Sequence, residues 1–170
     1  MRAAGHRILF SATALLVFAG CASVSVDTPA SVEEYQGGIQ KGTASIYGEA
    51  FSKTRGGEVK FATGCVIHLD PYTSYSRELY EKLRKHGIFE ERNEQKTVKQ
   101  IDPLMLQYRR NTRENSVGQF KFSSVAAGDY FVSCYIGWTW YDGQVNRETG
   151  RWHVARVKLA EGEQKKIILY

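Results

Sequence analysis

An all-β fold of two facing layers is predicted by three features of this sequence. The stretch Gly128 to Trp140, GDYFVSCYIGWTW, puts Tyr130, Val132, Cys134, Ile136, Trp138 and Trp140 on one side of a two-residue repeat. That period marks a strand with one buried face. Aromatic residues make up 12% of the chain, with ten Tyr, sixteen Gly and three Pro, a balance suited to pleated surfaces and many turns. Other alternating runs are separated by Gly, Asp and Pro, the residues that turn a chain.

The 170 residues are enough for one domain behind a short leader. Met1 to Gly20 opens with Arg2 and Arg7, continues with an apolar run from Ile8 to Ala19, and ends in small residues before Cys21. This is the pattern of a secretory signal, and its apolar run is shorter than the ~20 residues a spanning helix needs. Without Arg2 and Arg7 the chain keeps 21 basic and 18 acidic residues, too even a balance to imply nucleic acid as a partner. Residues 21–42 are polar and lack sustained periodicity, as expected of a flexible tether, so the domain is placed at 43–170.

Within the domain, Thr43 to Thr54 alternates loosely and reads as a first strand, with a bulge or close backbone approach at Gly48. Cys65 to Leu69 puts Cys65, Ile67 and Leu69 on one face, and Asp70-Pro71 ends it. Leu79, Tyr80 and Leu83 give Ser76 to His86 a helical pattern, with Ser74 or Ser76 as cap and Gly87 as stop. This predicts one short inserted helix in an insertion spanning about 73–100. The charged run Phe89 to Gln100 reads as a solvated loop, and Pro103 to Arg110 as a further strand. Gly118 to Val125 brings Phe120 and Phe122 inward and forms a hairpin with the central strand. Tyr141 to Gly150 is a polar loop, and Trp152 to Leu159 with Lys165 to Tyr170 forms a last hairpin.

Cys65 and Cys134 remain an even pair in an exported chain, both on core-facing positions. A disulfide is the expected state, contributing ~3–4 kcal/mol through chain entropy, and two buried free thiols are the alternative.

Two resemblances add to this reading. Phe18-Ala19-Gly20-Cys21 resembles the lipobox of bacterial lipoproteins, with Phe18 where Leu is usual. The resemblance implies that Cys21 becomes a lipidated N-terminus carrying palmitate-type acyl chains. Ala22 at the next position, rather than Asp, points to the outer membrane in a host with two membranes, where the domain is expected to face the periplasm. Gly118-x-Phe120-x-Phe122 followed by Val125-Ala126-Ala127-Gly128-Asp129-Tyr130-x-Val132 resembles the carboxypeptidase regulatory-like domain, and Val157-x-Leu159-x-x-Gly162 with Ile167-x-Leu169 resembles its last two strands. That implies a seven-stranded prealbumin-like β-sandwich, an accessory module without an active site. The turn Thr112 to Gly118 departs from the usual pattern, as does the helical insertion.

Nothing in the sequence announces catalysis. His68, Asp70 and His153 sit on strands without the spacing of a structural zinc site, no Gly-x-Ser-x-Gly elbow occurs, and no glycine loop is built to cradle phosphate, so no catalytic residue, metal or cofactor is assigned. The chemistry-bearing cluster is aromatic: Tyr135, Trp138, Trp140 and Tyr141, with Trp152 near across the hairpin. Strand aromatics usually pack, but rings beside polar groups also hold sugars and peptides. The sequence therefore leads to a lipid-anchored envelope module that engages a protein or glycan partner, with carbohydrate binding through the aromatic cluster as the alternative.

Overall fold

The structure, a computed structural model, describes residues 25–36, 41–85, 101–141 and 143–170. The leader, Cys21 and the loop expected at Phe89 to Gln100 lie outside them. Among the described residues, eight strands form two four-stranded sheets packed face to face, and three short helices cover one of the outer faces.

The first sheet is built on β1 (Lys41–Lys53), which pairs antiparallel with β2 (Val59–Phe61) and β5 (Gln119–Val125) and parallel with β8 (Gln164–Leu169). Gly48 permits the parallel pairing, because a Cβ there would lie 1.9 Å from the Ile167 carbonyl oxygen. The close approach expected at this glycine is real, while the bulges of β1 fall earlier, between Lys41 and Ile46. The second sheet runs β4 (Arg110–Arg113), β3 (Val66–Pro71), β6 (Gly128–Tyr141), β7 (Asn146–Leu159).

Alternation does what it predicts. Ala44, Ile46, Phe120, Phe122 and Leu169 of one sheet meet Ile67, Leu69, Val132, Cys134, Ile136 and Val157 of the other in one buried core. Each of the buried Ile, Leu, Val and Phe side chains contributes roughly 1.5–3 kcal/mol. Cys65 packs against this core and Cys134 lies in it, but both are free thiols. The disulfide expected between them is therefore not formed. Ile67, two residues beyond Cys65, is the residue opposite Cys134, so the two cysteines are offset along neighbouring strands rather than opposed.

Three further expectations are corrected. Neither hairpin exists: β5 and β6 belong to different sheets, as do β7 and β8, so each connection crosses the sandwich. The hairpin that does form is β6–β7, paired from Gly128↔Leu159 to Tyr141↔Asn146, and it takes up most of the expected polar loop. Pro103 to Arg110 is not a strand, because Asp102 accepts the Leu104 N–H at 2.8 Å and Pro103 occupies the first turn of α3 (Pro103–Tyr108).

The helical layer is larger than the single helix expected. It comprises α1 (Val32–Gln36), α2 (Ser74–Lys85) and α3. Tyr35, Tyr75, Leu79, Leu83 and Met105 bury together against Phe131, forming a second apolar cluster outside the sandwich. Tyr35 is fully buried, so chain expected to belong to the tether is part of the folded body.

Candidate functional site

The site is organised by the way α2 is fastened to the sheet. Its start is a reciprocal cap, with the Ser76 N–H donating to Thr73 Oγ1 at 3.1 Å and the Thr73 N–H to Ser76 Oγ at 2.8 Å, so the cap is Thr73 rather than either serine. One turn on, Tyr80 donates its hydroxyl to Asp70 Oδ2 at 2.6 Å and lies 2.9 Å from Ser133 Oγ. Arg109 closes the other side of Asp70 through two bonds, from Nε at 2.7 Å and Nη2 at 3.1 Å. Burial, followed by the Asp70 charge, holds the Tyr80 phenol well above its ordinary pKa, so it remains a donor.

Fixed in this way, α2 and β7 enclose a groove of about 600 Å³, within the ~300–1,000 Å³ of small-ligand clefts. Tyr72, Tyr80, Phe131 and Val154 give it an aromatic, apolar floor, and Arg77, Glu81 and Arg84 line the α2 side. Those three fall at i, i+4 and i+7, one stripe of the helix. Trp152 and Arg156 stand on the β7 side, and Arg151, His153 and Tyr170 also line the groove.

Neighbours on both sides position Trp152. The Tyr135 ring meets it edge-on at 5.8 Å, and the His68 ring stacks at 5.9 Å, with its Nδ1 2.7 Å from Asn111 Oδ1. Tyr135 takes up this position by lying over the glycine pair Gly137↔Gly150, since a Cβ on Gly150 would come within 2.5 Å of the Tyr135 hydroxyl oxygen. Arg156 stands 3.9 Å from the centre of the Tyr72 ring and 3.3 Å from Asp129 Oδ2. Among the described residues, four arginines thus line the groove with one acidic side chain, Glu81, and no ion pair engages Arg77, Arg84 or Arg151. His153 is 5% exposed, and its Nε2 is buried without a hydrogen-bond partner among the described residues. Burial lowers its pKa, the Tyr170 backbone opposes that shift and Arg151 adds to it, which favours the neutral ring at pH 7.

The aromatic cluster singled out from the sequence does not form one platform. Trp138 and Trp140 pair with Thr149 and Arg147, while Tyr135 and Tyr141 pair with Trp152 and Asn146, so the four rings divide between the two faces of the hairpin. Trp138 is half-buried, and Trp140 and Tyr141 are 47% and 65% exposed near the hairpin end. Tyr135 alone reaches the groove region, through Trp152. His68, Asp70 and His153 do not converge: Asp70 is engaged by Arg109 and Tyr80, and His153 opposes Cys134 on the core side of the sheet. Among the described residues no group of three His, Cys, Asp or Glu is placed to hold a metal ion. The arginines escaped the sequence reading because they come from two distant segments. The α2 stripe and the Trp152, Val154, Arg156 alternation were the available signals.

No family model matches this chain, and no curated protein matches it in sequence. Among solved structures it is similar to a Pseudomonas aeruginosa protein described as a "putative carbohydrate binding protein (PA1324)". The two agree with a TM-score of 0.72 over 85% of this chain and 99% of the other, at 22% identity. At that identity the likeness shows a common fold: a mainly β sandwich of two sheets carrying short helices.

Proposed function

We propose that this chain is a non-catalytic glycan-binding module of the cell envelope, with its ligand seated in the groove between α2 and β7. The observation that carries the reading is the pairing of an aromatic floor with hydrogen-bonding groups along both walls. Sugar rings offer apolar C–H faces to aromatic rings and hydroxyls to polar side chains, so a cleft with both suits them. The description of the Pseudomonas protein as a carbohydrate binder, on the same fold, favours this over a general protein-interaction module. A lipid anchor at Cys21, holding the domain at the outer membrane, belongs to the same proposal and is supported by the leader's charge pattern and small residues.

Titration of the purified protein with a panel of neutral and acidic oligosaccharides tests the binding. Trp152→Ala is expected to weaken every bound member about tenfold, in line with the ~1–1.5 kcal/mol of a ring contact. Retention of full affinity by that variant places any ligand elsewhere. Palmitate labelling that persists after Cys21→Ala would remove the anchor.

A further inference from the structure

We infer that the groove selects saccharides carrying carboxylate groups, an inference that rests on the glycan reading and narrows its ligand. Arg77 and Arg84 of α2 and Arg151 and Arg156 of β7 line one cleft, with Glu81 the only acidic side chain lining it among the described residues. Like charges gathered around a cleft repel one another and raise the local potential for an anion. A folded surface ordinarily intersperses its signs, and the α2 stripe next to this one does so: Glu78 pairs with Lys82 at 2.6 Å, and Lys82 with Asp27 at 2.7 Å. In the groove only Arg156 has such a partner among the described residues, Asp129 Oδ2 at 3.3 Å.

The guanidinium fork matches a planar carboxylate through two parallel hydrogen bonds, which adds geometry to charge. Arg156 is held for this use by its stacking over Tyr72. The aromatic floor between the arginines supplies the surface on which the pyranose face of a uronate rests. Floor and rim together describe an acidic sugar, because inorganic anions have no use for the floor and neutral sugars none for the excess charge.

The matched probes are a trigalacturonate and its methyl ester, which differ in charge and share a ring, together with neutral galactose oligomers and vesicles of anionic phospholipid. The acid is expected to bind at least tenfold more tightly than its ester at low salt, with the difference shrinking as salt rises. In Arg77→Gln/Arg84→Gln, two exposed sites whose exchange leaves the core intact, acid binding is expected to fall about five- to tenfold more than ester binding. Trp152→Ala weakens acid and ester alike. Equal affinity for acid and ester overturns the inference and leaves the glycan reading standing. Failure to bind any oligosaccharide removes both, as does binding to the vesicles with none to the saccharides.

Discussion

Arg109 meets Asp70 through two parallel hydrogen bonds, Nε to Oδ1 at 2.7 Å and Nη2 to Oδ2 at 3.1 Å, and Asp70 has no exposure to solvent. With Tyr80 on the same carboxylate, the pair ties α2, the end of α3 and β3 into one unit behind the groove.

Removing one side of this arrangement is expected to cost more than removing both. Arg109→Met leaves a buried carboxylate without its cation, a loss of about 3–5 kcal/mol, read as a fall in the urea midpoint. The double variant Asp70→Leu/Arg109→Met is expected to recover at least half of that loss, because no charge is then left buried. A single variant as stable as the parent would show that the pair is solvated and that α2 is held by its apolar face alone.

The N-terminal segment answers to pH through Glu78. The backbone N–H of Asp27, the Lys82 ammonium and the Thr28 hydroxyl and N–H all favour its ionised form, and its pKa is lowered to about 2. A carboxyl whose folded pKa lies below its unfolded value stabilises fully above the unfolded value, near 4.5. That contribution is lost as pH falls toward 2. Hydrogen exchange, corrected for intrinsic rates, is expected to show several-fold loss of protection at Asp27 and Thr28 between pH 5 and pH 2.5. Glu78→Gln should show the same loss at pH 7.

The two internal thiols should be inert while the protein is folded. Burial, followed by the Glu114 charge, raises the Cys65 pKa to about 11, and burial raises Cys134 further. At pH 8 about one Cys65 in a thousand is then thiolate, the reactive form. In a Cys21→Ser chain, iodoacetamide is expected to label neither cysteine natively and both in urea. Mass analysis finding two fewer hydrogens and no labelling in urea would show the bridged form instead.

Residue alternation revealed which face each strand buries but left its partner open. Phe120 and Phe122 point inward as their spacing indicates, yet nothing in Gly118 to Tyr130 shows that the chain changes sheets at Ala126. Leu104, Leu106 and Tyr108 alternate like a strand, and the deciding signal was the Asp102-Pro103 cap. The groove was least legible. Its arginines make sense only once Asp70, Tyr80 and Arg109 have set α2 beside β7, and the Asp70–Arg109 contact joins positions 39 residues apart in the chain. Trp138 and Trp140, prominent in the sequence, lie beyond it, while Trp152 lines it.

The clasp between Glu78 and the amides of Asp27 and Thr28 bears on how an anchored molecule would stand. Lys82 donates to the Ser25 carbonyl oxygen, four positions after Cys21, and four extended residues reach at most ~14 Å. Acyl chains at Cys21 would therefore hold the outer face of α2 on a short leash, low over the lipid headgroups.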